Sequence, residues 1–458
     1  MGNDLATSRR SLATGDPDQM TLVPNTKRTK LQIQVILLGI LGALLCWFNI
    51  FGSLTPGEVQ QSSKRFLPIG KSDNEDKKAR CTNAEAELEC LNVLGRNGTW
   101  VQDWDFAQRY GQYKLPRAVG MGPFVKRTRG KFKPSADAPF PWETSWKWVD
   151  HNSINQDTCQ VDYTMDADKM CSVLGQLGVD RIFFLGDSLS ESQYTSFLNS
   201  MGRDRLVNYT DHVKETPRIN SRECTLLCKD KGFSVRTKST KVGGGYPFAH
   251  SKIRINMTLS SKSREFLTSS PQRMLAILNI GAHYHEIKHF EEDLDTLFGW
   301  FDEFERPDDL IFFRSTPSGH KNCVPQIPRQ FNFTSGIRTK PLQAYSNFKP
   351  DKTFDWNKFE SYNMHTRNKL VDRRRERETR LSTNISAAAD IRFLDVYNMT
   401  VLRHDGHTGG RDCLHYVEPG PIDWWNHLLY SHLQAIAAVE KSASATSSCR
   451  GGSIESDG

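Results

Sequence analysis

The chain has 458 residues, of which 37% are hydrophobic, 25% charged and 10% aromatic, and its formal net charge is +7. These proportions fit one large globular domain or two ordinary ones and exclude both a disordered chain and a multi-span membrane protein. The positive balance is mild and no basic stripe interleaves with aromatics, which argues against nucleic acid as a partner.

In chain order the first landmark is Leu31 to Leu54, LQIQVILLGILGALLCWFNIFGSL, without a charged side chain. At about 1.5 Å of rise per residue, such a helix covers a hydrocarbon core of roughly 30 Å. A cleaved signal peptide would begin nearer Met1 and close on a small-residue cleavage site, so the segment reads as a retained signal anchor. Lys27, Arg28 and Lys30, with Arg9 and Arg10 behind them, keep residues 1–30 in the cytosol as a tail. Everything beyond Leu54 then faces the secretory lumen, as in a single-pass type II Golgi membrane protein. Glycosylation sequons stand at Asn97, Asn208, Asn256, Asn332, Asn384 and Asn398, all beyond the anchor. So do Cys81, Cys90, Cys159, Cys171, Cys224, Cys228, Cys323, Cys413 and Cys449. Disulfides suit an oxidising lumen. An odd number leaves one thiol over, and Cys449 in the Ser-rich tail is the candidate.

Residues 55–80 are polar and lack periodicity, as a stem would be. Residues 81–175 are rich in Trp, Pro and Gly and predict a loop-rich lobe stapled by disulfides. From residue 176 to 440, short apolar runs alternate with amphipathic stretches. The runs are RIFFLGDS at 181–188, MLAILNIG at 274–281, DLIFFRS at 309–315 and IRFLDV at 391–396. Each has the Ile, Phe and Leu content of a buried parallel strand. Helices are expected at Ser190–Met201, Glu291–Phe304 and Lys358–Leu381. The alternation implies an α/β sheet whose sites form at the carboxyl ends of its strands. Residues 441–458, rich in Ser and Gly, are expected to be disordered.

The chemistry-bearing residues follow from that layout. Gly186-Asp187-Ser188 closes the first run just before a helix that includes Gln193. A serine at such a turn points its hydroxyl into a cleft, while the helix N-terminus offers backbone N–H groups to an oxyanion. Helix capping by Asp187 or Ser188 is the plainer alternative. Far along the chain, Asp412 precedes His415 by three residues. The carboxylate can take one imidazole nitrogen and leave the other to accept a serine proton.

The blocks FFLGDSLSESQ, ILNIGAHYH, FFRSTPSGHKNC, LDVYNMTVLRHDGH and DCLHYVEPGPIDWWNHLLY resemble, in this order, the trichome birefringence-like polysaccharide O-acetyltransferases of the PC-esterase group, relatives of the SGNH (GDSL) hydrolases. GTWVQDW and WKWVDHNSINQDTC extend the resemblance into the N-terminal lobe. It implies an α/β fold, an SGNH-hydrolase-like parallel sheet sandwiched by helices, preceded by the disulfide-stapled lobe and one transmembrane helix. It further implies that Ser188 attacks an acetyl donor, that His415 serves as base and then acid, and that Asp412 orients the imidazole. The backbone N–H of Ser188 and the side chain of Asn279 would hold the oxyanion, with Gly186, Asp187 and Gln193 in support. The co-substrate would be acetyl-CoA or another acetylated carrier, with no bound cofactor, and the acceptor a polysaccharide or glycan hydroxyl. Where the plant members usually carry an arginine shortly after the nucleophile, this chain has Glu191. Their His-Trp-Trp is here His283-Tyr284-His285.

Arg314 and Arg403 flank strand-like runs and, with His283, are candidates for substrate contact; structural ion pairs are the alternative for the two arginines. His283, His285 and His289, with Glu286 between, invite a metal reading, but no second ligand cluster matches them, His407 or His320 would have to be recruited from afar, and no metal is expected. A carbohydrate O-acetylesterase with the same triad and a non-catalytic glycan-binding protein of the same fold are the competing functions. The oligomeric state is not encoded in any motif.

Overall fold

The computed structural model describes residues 86–103, 106–107, 145–150, 160–216, 219–242, 259–320, 355–383, 388–403, 406–409 and 412–450. All of them belong to one compact unit, Lys71–Gly458. The expected anchor and stem lie outside the described residues, as do Asn256, Asn332 and Asn384. Among the described residues no helix is long and apolar enough to cross a membrane.

The principal sheet has seven strands. They are β3 (Val179–Gly186), β4 (Leu206–Thr216), β5 (Ile219–Cys228), β6 (Phe233–Val242), β7 (Arg273–Leu278), β8 (Leu310–Arg314) and β9 (Ile391–Leu394), in the order β4-β5-β6-β3-β7-β8-β9. The four apolar runs form β3, β7, β8 and β9, which pair in parallel, and β3 also pairs in parallel with β6. Continuous apolar runs form these strands because both faces of the sheet are covered. Phe184 packs on Tyr194 and Phe197 of α2 (Ser188–Met201), and Phe312 on His432 of α7 (Pro421–Arg450). From the other face, Phe183 meets Phe266 of α3 (Ser261–Thr268), and Phe313 meets Phe298 of α4 (Ile287–Glu303).

Two features depart from expectation. The sheet is mixed, because β4, β5 and β6 join through antiparallel pairings that the apolar pattern did not announce. This wing buries polar side chains: Lys238 bridges Glu215 at 2.6 Å, and Tyr194 shares a hydrogen bond with Thr237. Second, α7 runs on to Arg450, so 441–450 is helical rather than disordered. The chain meets no Gly or Pro until Gly451, and residues of ordinary helix propensity continue the turns.

The described part of the N-terminal lobe holds helical residues 86–97 and the antiparallel hairpin of β1 (Gly98–Gln102) and β2 (Trp146–Asp150). Trp100 donates to Met399 O at 2.7 Å and packs edge-on to Trp148 and Trp424. A disulfide joins Cys171, on α1 (Ala167–Gln176), to Cys228 at the end of β5, and Cys90 and Cys413 are also disulfide-bonded. Among the described residues the free thiol is the buried Cys224. Burial and the loss of hydration push it up to about 11. The expected odd thiol, Cys449, has a side chain outside the described set. Asn97 and Asn208 are exposed. Asn398 is half-buried and donates to Arg96 O at 2.8 Å, a contact that a glycan on that nitrogen would have to displace.

Candidate active site

The Gly186-Asp187-Ser188 turn sits where the carboxyl end of β3 meets the first turn of α2. Gly186 is needed there: a Cβ would come within 2.2 Å of Ser190 Oγ and 2.3 Å of Asn279 O. Asp187 caps α2 by accepting from Leu189 N at 2.8 Å, and its second oxygen lies 3.3 Å from Ala282 N on the loop after β7. Capping therefore falls to Asp187 and leaves the half-buried Ser188 hydroxyl to other partners.

Asp412 and His415 lie on β11 (Asp412–Tyr416), which pairs with β10 (His407–Gly409) apart from the main sheet. Three residues apart on a regular strand, their side chains would face opposite ways. The Asp412 carboxylate instead folds back over the chain and accepts from the backbone N–H of Leu414 at 3.3 Å and of His415 at 3.1 Å. That leaves both of its oxygens 2.9 Å from His415 Nδ1, and His415 Nε2 is 2.7 Å from Ser188 Oγ. The three side chains form one continuous hydrogen-bonded row. Burial alone would raise the Asp412 carboxyl. The hydrogen bond and charge of His415, then the two backbone N–H groups, outweigh it and hold the group well below the usual carboxylate range.

Residues 227 positions apart in sequence meet because α2 is tied to the segment following β11. Asn199 donates to Glu418 at 2.6 Å, Ser196 to Asp423 at 2.7 Å, and Asn426 to the carbonyl of Gln193 at 3.1 Å. The side-chain amide of Gln193 is itself buried without a hydrogen-bond partner.

Three expectations are corrected. Asn279 does not present an N–H to an oxyanion. It is fully buried, and both amide hydrogens are engaged, by Arg314 O and Thr316 Oγ1 at 2.8 Å each, tying the ends of β7 and β8 together. Arg314 does not reach a substrate: it has no exposed surface, lies 4.5 Å from the Trp425 ring and donates to Ser315 O. Burial pushes its guanidinium down to about 10, against the opposing charge of Asp187. Arg403 is likewise enclosed, 4.7 Å from the Trp100 ring. Aromatic faces receive both cations. His283, in contrast, is exposed on the loop after β7.

Glu191 does not leave a bare negative charge beside Ser188. Arg222 of β5 holds one of its oxygens at 2.8 Å and Lys241 of β6 the other at 2.9 Å. His285 and His289 turn to Asp355 and Glu286. His320 and His407, which the sequence reading named only as distant recruits to a metal site, contact each other behind β11. Their only signal was position, inside two of the motif blocks.

Residues 166–432 match the profile of PC-Esterase, a GDSL/SGNH-like acyl-esterase family found in Pmr5 and Cas1p. The chain belongs to the PC-esterase family. This is the grouping its motif blocks resembled, and the mixed α/β core accords with the SGNH-like fold. Within the similarity to curated plant proteins, Xyloglucan O-acetyltransferase 1 of Arabidopsis thaliana is 36% identical over 76 residues, 13% of this chain and 18% of the relative. Protein trichome birefringence-like 13 of the same plant is 24% identical over 152 residues, 32% of this chain and 33% of the relative. The PC-esterase chain thus matches no more than about a third of the length of either relative.

Proposed function

We propose that this PC-esterase is an O-acyltransferase that moves an acetyl group from an acetylated donor to a hydroxyl of a polysaccharide or glycan. The observation that carries the reading is the unbroken row Ser188, His415, Asp412 within the family-matched region. Family membership supports acyl-ester chemistry, and the likeness to a xyloglucan O-acetyltransferase supports acetyl as the acyl group and a polysaccharide as the acceptor.

In the first half-reaction His415 Nε2 takes the proton as Ser188 Oγ attacks the acetyl carbonyl. Asp412, kept ionised, holds the Nδ1 tautomer and balances the imidazolium. The oxyanion faces the Ser188 N–H at the start of α2, where the helix dipole adds positive potential. Collapse expels the donor's leaving group, which recovers the proton from His415. In the second half His415 deprotonates a sugar hydroxyl, which attacks acetyl-Ser188 and regenerates the free serine. The exposed His283 lies at the same edge of the sheet, where an acceptor sugar would be gripped. Water in place of the sugar gives an O-acetylesterase.

The same reading places residues 31–54 in a Golgi membrane as the anchor, residues 1–30 in the cytosol, and the stem, lobe and catalytic region in the lumen. The sequons beyond Leu54 and the Cys171–Cys228 disulfide support that orientation.

Brief exposure to an acetyl donor, followed by intact-mass and peptide analysis, is expected to find one acetyl group on Ser188, discharged faster by an oligosaccharide than by water. Ser188→Ala is expected to lose both adduct and turnover. Full rate in that variant refutes the reading, and discharge to water alone makes the enzyme an esterase.

A further inference from the structure

Directly behind His415 lies a pair of imidazoles. His320, in the segment after β8, sets Nδ1 2.5 Å from Nε2 of His407 on β10. The outer nitrogen of each ring meets a main-chain carbonyl. His320 Nε2 is 2.7 Å from Val401 O, and His407 Nδ1 is 3.0 Å from the carbonyl of His415 itself. Both rings are enclosed, with 4% and 0% of their surface exposed.

The proton count of this arrangement is fixed by its acceptors. A carbonyl oxygen offers only lone pairs, so both outer nitrogens must carry hydrogen. A neutral imidazole has a single N–H, so two neutral rings in these positions would turn bare lone pairs toward each other. One additional proton converts that repulsion into an N–H···N bond. We propose that His320 and His407 share this proton and that the charged pair is a positioning device for His415, a role that rests on His415 being the base proposed above.

Among the described residues, neighbours of both kinds face the pair. Tyr416 of β11 stacks on His407 with ring centroids 4.3 Å apart, presenting a π face, while its hydroxyl is spent on Ser318 O. Arg314, from the end of β8, interacts electrostatically with Tyr416 and, as a second buried cation, opposes the charge. From β11, Asp412 is turned to the imidazole of His415, and Cys413, whose carbonyl accepts from His320 N, is disulfide-bonded and does not titrate. Loss of the shared proton forces one of the three bonds to break. When it is the His407 to His415 bond, an imidazole lone pair faces the carbonyl of the residue that must stay within reach of Ser188.

The test reads protonation directly. In the full-length protein carrying 15N-histidine, nitrogen chemical shifts are expected to show three protons over the four ring nitrogens of His320 and His407 across the pH range of activity. Two protons over four nitrogens overturns the proposal. His407→Asn keeps a donor for the His415 carbonyl but cannot share the proton. Its kcat is expected to fall roughly tenfold to a hundredfold with KM little changed, and the alkaline limb of its rate profile should move. Wild-type kcat and an unmoved limb in a folded variant also overturn it. If that variant does not fold, the nitrogen shifts decide. Because those shifts are read without turnover, failure of the base assignment, seen as full rate in Ser188→Ala, is distinguishable from failure of the shared proton.

Discussion

The Asp412 carboxylate is held by two backbone N–H groups as well as by His415, so it stays ionised far into acid. As pH falls through the working range the carboxylate therefore takes up no proton, and the acid limb of log kcat/KM against pH is expected not to steepen to a slope of two. A slope of two would mean that the carboxylate titrates as well. Asp412→Asn offers an amide N–H where Nδ1 needs an acceptor and fixes the wrong tautomer. Its kcat is expected to drop about 10³- to 10⁴-fold. Asp412 and His415 were legible in the sequence because a carboxylate ahead of a histidine by three residues is local information. Arg314 and Arg403 were misread because a cation enclosed by Trp425 or Trp100 has the same one-dimensional signature as one lining a cleft. Asn279 was misread for a related reason: its neighbours Arg314 O and Thr316 Oγ1 come from the next strand, invisible until the sheet is formed.

Between elements, the decisive contact is that of α2 with the segment after β11. Asp423 is nearly fully buried and accepts from Ser196 Oγ on α2 and from Gly420 N, each at 2.7 Å. Asp423→Ala would orphan both donors, at about 1–3 kcal/mol for each buried group left unpaired. It would also release the register that brings His415 to Ser188. The expected outcome is an unfolding free energy lowered by about a few kcal/mol and, at temperatures where the variant is folded, a fall in kcat that Ser196→Ala reproduces in part. Undiminished kcat in folded Asp423→Ala would show that β10 and the lobe suffice to hold β11. The strands β3, β7, β8 and β9 were legible because apolar residues cover both of their faces. The wing β4 to β6 was not, since Thr237, Lys238, Ser239 and Thr240 are all buried in β6, and buried polar residues satisfied across strands look like loop in the sequence.

Across the whole molecule, the layered α/β architecture follows from alternating runs and helices, and its response to acid follows from what the layers enclose. His432 on α7 is fully buried against Phe312 of β8 and its Nδ1 has no hydrogen-bond partner. Burial, and then the positive charge of Arg392, push its imidazole down to about 3. An unfolded histidine titrates near 6.5. Between those values the unfolded chain binds a proton that the folded one refuses, so stability rises with pH in that window. The contribution is fully present above about pH 6.5 and is lost progressively as pH falls toward 3. At about pH 5 the part already lost is on the order of 2 kcal/mol. Asp412 adds a loss of the same sign, but only below its unfolded value of about 3.9, whereas burial raises the Asp395 carboxyl and adds a contribution of opposite sign above it, so the difference between wild type and a variant lacking the imidazole is what reports on His432. His432→Leu removes the titrating group while keeping an apolar contact with Phe312. Its unfolding free energy, measured by denaturant titration at a series of pH values, is expected to be flatter than wild type by about that amount between roughly pH 6.5 and 5. An identical slope in the two proteins would mean that His432 is protonated, or hydrated, in the folded state.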